Sequence, residues 1–121
     1  MTGLHILVVD DDPTISEVIA EALGDDGFSV DVAGSGEVAL QKMRAKRPSA
    51  VVLDLMMPRM DGWTFLERCL AEANCNPDRV VVLSAARMTP GRDLPAVAAF
   101  LPKPFELRVL LETVESVAER P

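Results

Sequence analysis

Along the chain, short continuous apolar runs alternate with longer stretches that carry apolar residues at helical spacing. Residues 4–10 (LHILVVD) predict a first strand. Over residues 13–25, Ile15, Val18, Ile19, Ala22 and Leu23 recur at i, i+3, i+4, i+7 and i+8, which predicts a helix with these residues inward, ended by Gly24 or Gly27. Residues 28–33 read as a second strand, and GSGEVALQKMRAKRP as a helix opening near Ser35 and closed by Pro48. The run AVVLDL, residues 50–55, is a third strand, apolar except for Asp54. Asp61 then caps a helix over residues 62–73 with Phe65, Leu66, Cys69 and Leu70 inward. Residues 79–84 (RVVVLS) and 98–102 predict two more strands, and residues 105–118 a closing helix with Leu107, Leu110, Leu111, Val114 and Val117 on one stripe.

Repeated βα units with strands apolar on both faces imply a parallel sheet between helix layers. The expected fold is therefore α/β: a (βα)5 doubly wound, flavodoxin-like three-layer sandwich, with no repeat, low-complexity tract or linker. At 121 residues the chain is one domain with a full core, residues 1–121, and 49% hydrophobic content marks it as globular. A net charge of −7 leaves no basic face for nucleic acid. Cys69 and Cys75 lack CxxC spacing and the single histidine, His5, lies far off, so zinc is not expected. Both thiols read as packing residues in a reduced, cytoplasmic setting. No charged segment leading into a long apolar stretch opens the chain, and no apolar run approaches about 18 residues. The expectation is a protein neither exported nor membrane-spanning.

Chemistry concentrates where HILVVDDDP runs a strand into Asp10, Asp11 and Asp12. At roughly 5 Å and an effective dielectric near 20, each neighbouring pair of charges costs about 3 kcal/mol. Strand C-termini of a parallel sheet gather along one edge, the edge where doubly wound proteins bind ligands. Asp10 and Asp11 end strand 1, Asp54 ends strand 3, Ser84 ends strand 4 and Lys103 follows strand 5. If strands 1 and 3 are neighbours, three carboxylates, a hydroxyl and an ammonium share one cleft. Such a hard-oxygen set suits Mg2+ or Mn2+, which would cancel the repulsion and hold a phosphoryl group. Asp12, before Pro13, reads as an N-cap, and a capped helix start would by itself account for the DDD run. Asp54 inside VVLDL is harder to dismiss, because a buried carboxylate is costly unless paired or used.

Four stretches in order, LVVDDDP, VVLDLMMPRMDG, VVLSA and FLPKPF, resemble the receiver domains of bacterial two-component response regulators, chemotaxis receivers included, over essentially the whole chain. The resemblance implies strand order 2-1-3-4-5. It implies Asp54 as phosphoacceptor and Asp10 and Asp11 as the metal-holding pair, Asp11 directly and Asp10 largely through water. The backbone carbonyl of Met56 becomes a further metal ligand. Ser84 matches the hydroxyl that bonds a phosphoryl oxygen and moves on activation, and Lys103 the lysine that pairs with it. Pro104 would follow a cis bond, and Phe100 matches the aromatic switch position. The implied partners are a sensor histidine kinase or phosphotransfer protein and a downstream protein or effector domain, with homodimerisation open. A protein of this kind phosphorylates itself from a donor and has no conventional substrate turnover. Both a single-domain regulator and a piece of a longer protein fit residues 1–121, and no effector domain follows in them.

Departures from the family pattern carry expectations of their own. The segment from Ser84 to Lys103 is about one helical turn short. Within it, Thr89 could cap a helix opened by Pro90, which Pro95 would break at once, so the fourth helix is expected to be shortened or irregular. Phe100 lacks a phenol hydroxyl, which leaves a burial-based switch. Ala85 leaves room for a phosphoryl group. Met56 and Ala86 offer no polar side chain to orient water, so a long-lived phosphoryl group is expected. Trp63 reads as a surface residue of its helix, His5 as a solvated strand end, and Glu106, Glu112 and Glu115 as a solvated face. Two rival functions remain: a phosphorylation-independent scaffold or dimerisation module, and a metal-dependent phosphohydrolase. The second would want an acid where Met56 stands. A flavodoxin-like cofactor binder is disfavoured because DDDP follows strand 1 where a phosphate loop would be needed.

Overall fold

A computed structural model of the chain describes residues 3–57, 60–72, 76–84 and 97–120. Its elements run β1 (His5–Val9), α1 (Pro13–Asp25), β2 (Ser29–Ala33), α2 (Gly36–Ala45), β3 (Ala50–Asp54) and α3 (Gly62–Ala71). A 3-10 turn (Pro77–Arg79), β4 (Val80–Ser84), β5 (Ala99–Pro102) and the closing helix α4 (Leu107–Ala118) follow. The expectations placed on Cys75, Ala85, Ala86, Thr89, Pro90 and Pro95, the shortened fourth helix among them, lie outside the described residues.

The five strands form one parallel sheet in the order β2-β1-β3-β4-β5. Every residue of β1, β3 and β4 is buried. The edge strands β2 and β5 are only partly covered, so the apolar-on-both-faces pattern belongs to the three central strands. Alternation of side chains then sorts the core into two layers. Leu7, Val9, Val51 and Leu53 face Leu40 and Met43 of α2 and Phe65 and Leu66 of α3. Ile6, Val8, Val52 and Val81 face Ile19 and Leu23 of α1 and Leu110 and Val114 of α4.

Local chemistry sets the helix starts. Asp12 accepts the Thr14 N–H at 3.0 Å, Ser35 that of Val38 at 3.2 Å and Asp61 that of Thr64 at 2.9 Å. Helix α1 runs through Gly24, and Gly27 at φ 95° makes the turn into β2. No side chain caps α4, and extended backbone at Glu106 delays its start to Leu107. Arg79 closes the 3-10 turn, leaving β4 to start at Val80.

Four residues sit otherwise than expected. Val18 is 51% exposed, because Ser16, Ile19 and Leu23 form the inward face of α1. Leu70 is exposed at the far end of the α3 stripe. Trp63 is buried in the layer that holds Met57 and Met60, since the first turn of α3 lies against the sheet. His5 is buried as well: strand β1 is interior over its whole length. The acids Glu106, Glu112 and Glu115 are exposed.

Candidate functional site

Register builds the site. Val9 pairs with Leu53, so Asp10, one residue on, comes alongside Asp54 at the strand ends. Asp54 pairs with Leu83, which brings Ser84 to the same edge, and Ser84 pairs with Pro102, which brings Lys103. The Lys103 N–H donates to the Ser84 carbonyl at 2.9 Å, and the Lys103–Pro104 peptide is cis.

Asp10, Asp11 and Asp54 each offer a carboxylate oxygen, and these oxygens lie within 4.8 Å of one another. Asp10 is 2% and Asp54 5% exposed, whereas Asp11 reaches solvent. Asp54 Oδ1 accepts the Met56 N–H at 3.0 Å, and its Oδ2 takes the Lys103 ammonium at 3.3 Å. Asp10 Oδ1 accepts the Asp12 N–H at 2.9 Å, while its Oδ2 is buried with no hydrogen-bond partner. Burial is the main force raising the Asp10 carboxyl above the usual carboxylate range; the Asp12 N–H opposes it, Asp54 adds to it, Lys103 opposes and Asp11 adds.

A buried, unpartnered carboxylate oxygen among three acids is what a divalent hard cation satisfies. The donor set therefore fits Mg2+ or Mn2+, with Asp10, Asp11 and Asp54 as the side chains in reach. Ser84 is buried at the edge, Met56 turns its side chain outward, and Phe100 is partly exposed on β5.

A family profile described as the response regulator receiver domain matches residues 6–115. The chain belongs to the response regulator receiver family. Response regulator MprA of Mycolicibacterium vanbaalenii is 37% identical to it over 121 residues, covering 97% of this chain and 51% of that protein. The chain thus spans about half the length of the curated relatives it matches. Among solved structures, the receiver domain of Francisella response regulator 1452 superposes with a TM-score of 0.81 at 28% identity, covering 98% of both chains. The chemotaxis protein CheY4 of Vibrio cholerae gives 0.79 at 26%, covering 95% of this chain and 98% of that one. As a receiver domain of the two-component system, the chain has the phosphoacceptor fold and carries an acidic pocket where the family holds Mg2+.

One positioning residue escaped the sequence reading. A Cβ on Gly62 would come within 2.6 Å of Leu55 Cα and 3.0 Å of the Asp54 carbonyl oxygen. Glycine here lets the start of α3 lie against the backbone that carries Asp54, and the Gly62 N–H donates to the Leu55 carbonyl at 3.0 Å. The signal was the DG pair after MMPRM, which marks a turn without saying what it approaches.

Proposed function

We propose that this receiver domain accepts a phosphoryl group on Asp54 from a histidine kinase or phosphotransfer protein, and that the change alters its affinity for a downstream protein or effector domain. The observation that carries the reading is the carboxylate cluster of buried Asp10 and Asp54 with exposed Asp11, and Lys103 paired to Asp54. Asp10, Asp11, Asp54 and the Met56 backbone carbonyl are the groups that would hold Mg2+ or Mn2+. A divalent ion there supplies positive charge to the carboxylates and to the phosphoryl oxygens.

In the transfer, an Asp54 carboxylate oxygen attacks the phosphorus of a phosphohistidine in line. The O–P bond forms as the P–N bond breaks, and the electron pair leaves on the imidazole nitrogen. Lys103 exchanges the Asp54 carboxylate for the phosphoryl oxygens, and the Ser84 hydroxyl donates to one of them. Phe100, without a hydroxyl, responds through burial. Asp54 is consumed in each event, so the domain is a phosphoacceptor with slow self-hydrolysis and not a conventional enzyme.

Beside the site an apolar groove of about 540 Å3 runs between α1 and the turn after β5, lined by Ile15, Val18, Ile19, Pro104 and Phe105 with Lys103. Its shape and apolar lining suit an amphipathic helix of the phosphodonor.

Intact mass after incubation with acetyl phosphate and Mg2+ tests the reading. One added phosphoryl group is expected, absent from the Asp54→Asn variant and from a sample in EDTA. An unmodified chain at every donor concentration, or equal modification of the variant, would overturn it.

A further inference from the structure

Gly36, the first residue of α2, is buried, although its place in the chain asks for no glycine. A first helical turn accepts any residue that fits, and alanine is the better helix former. Space supplies the reason. A methyl group on Gly36 would stand 2.6 Å from Met60 Sδ, 2.9 Å from its Cγ and 3.1 Å from its Cβ. Rotating the Met60 side chain would move the sulfur and Cγ, but its Cβ is set by the backbone of the loop between β3 and α3. Met60 is buried in a packed layer with Ala39, Leu40, Met57 and Trp63, so the side chain has little room to turn.

This contact joins the two connections that flank Asp10. Strands β2 and β3 lie on either side of β1, and α2 follows β2 by way of Gly34 and Ser35. The Asp10 N–H donates to the Ala33 carbonyl at 3.1 Å, and Ser35 caps α2, so the start of that helix is held at the same sheet edge. On the other side, the loop leaving Asp54 is pinned at its base. The Met57 and Gly62 N–H groups both donate to the Leu55 carbonyl, at 3.2 and 3.0 Å. Met56 sits within that base, its N–H holding Asp54 Oδ1 and its carbonyl being the one the proposed function assigns to the metal. Backbone bonds thus close the loop on itself, and Met60 lodged against Gly36 ties it to a second element.

We infer that Gly36 and Met60 form a seat for the loop that carries the Met56 carbonyl, which makes Gly36 a positioning residue for the divalent ion although it offers no side chain to it. The inference rests on the reading of the acidic edge as a Mg2+-dependent phosphoacceptor site. Residues that support a metal ligand without touching the ion commonly set its affinity.

Mg2+ titration by calorimetry, with urea denaturation of the same proteins, tests it. Gly36→Ala is expected to bind Mg2+ about tenfold more weakly, the low end of what disturbing such support costs. Met60→Ala removes the other half of the seat and should also weaken binding. When Gly36→Ala is combined with Met60→Ala, the new methyl occupies the space vacated by Sδ and Cγ, so the pair should bind more tightly than Gly36→Ala alone. Met43→Ala, which opens a cavity in the same layer near the other end of α2, should lower stability and leave Mg2+ affinity unchanged. Parent affinity in Gly36→Ala, a double variant no better than it, or equal weakening by Met43→Ala would each overturn the inference. If Gly36→Ala does not fold, Met60→Ala decides: weaker Mg2+ binding sustains the inference and parent affinity overturns it. A parent chain that takes up neither Mg2+ nor a phosphoryl group from acetyl phosphate would instead remove the reading beneath it.

Discussion

Lys103 and Asp54, 49 residues apart in sequence, form an ion pair of 3.3 Å that spans from the end of β3 to the turn after β5. Both side chains are largely shielded from water, and Lys103 brings a positive charge to an edge that already carries Asp10 and Asp11. Replacing it by methionine leaves a buried carboxylate without its partner. In EDTA, Lys103→Met is expected to lose about 1–3 kcal/mol in urea denaturation, less than breaking a fully buried pair costs because Lys103 keeps 20% of its side chain exposed. Combining it with Asp54→Asn should recover part of that loss. Strict additivity in the double-mutant cycle would show that the pair contributes nothing to the fold.

The opposite sign is expected at Asp10. Its Oδ2 is buried without a partner and faces other carboxylates, so ionised Asp10 is a liability to the metal-free fold. Asp10→Asn should raise stability in EDTA by about 1 kcal/mol and abolish most of the stabilisation that Mg2+ gives the parent. Thermal melts of both proteins with and without Mg2+ decide it. A variant less stable in EDTA and still fully responsive to Mg2+ would contradict the role given to that oxygen.

Much of this site was legible because each of its residues ends a strand. Once β1 and β3 are neighbours, Asp10 and Asp54 have to meet, and the apolar runs locate those strand ends to within a residue. The pattern misjudged what depends on rotation and depth. Val18 satisfied helical spacing yet lies 51% exposed, because the polar Ser16 takes the inward position. Trp63 followed a turn and so read as surface, but Gly62 allows the first turn of α3 to press onto Leu55, which buries the indole. Neither can be read from one-dimensional periodicity, since the first follows from how α1 is rotated on the sheet and the second from how closely two backbones approach.

Gly62 makes that approach measurable. A methyl group there would stand 2.6 Å from Leu55 Cα, a backbone atom with no rotamer to change. Gly62→Ala should cost about 1–3 kcal/mol despite the better helix propensity of alanine, and should slow phosphorylation of Asp54 by shifting the backbone beside it. Chemical denaturation together with acetyl phosphate kinetics would test both effects. A stability gain would mean the backbone yields there without strain.

His5 provides a pH dependence. Burial lowers its imidazole below the ordinary value near 6.5, Lys46 adds to the shift, Asp31 opposes it with an oxygen 3.8 Å away, and Lys42 contributes in the lowering direction. As pH falls through the ordinary value, the unfolded chain takes up the proton first, while the folded chain holds off to a lower pH. The unfolded state then binds more protons, so the His5 contribution is present above that value and is lost as pH falls through the folded one. Unfolding free energies between about pH 5 and 8, compared with His5→Gln, should show the parent losing more stability toward acid. An equal pH slope in the variant would assign the acid sensitivity to other groups.

Met56 bears on how long the phosphorylated state lasts. Its N–H holds Asp54 Oδ1, while its side chain is 55% exposed and carries nothing that orients water or moves a proton. Hydrolysis of the acyl phosphate needs a water aligned with the phosphorus, and a positioned polar group can accelerate such a step by orders of magnitude. The parent phosphoprotein is therefore expected to persist for many minutes. Met56→Asn should shorten that lifetime about tenfold, since it adds an amide next to the site without altering the Met56 carbonyl or N–H. Following the phosphorylated mass after removal of acetyl phosphate gives both rates. A parent lifetime of seconds would mean that water is aligned by groups other than the side chain two residues after Asp54.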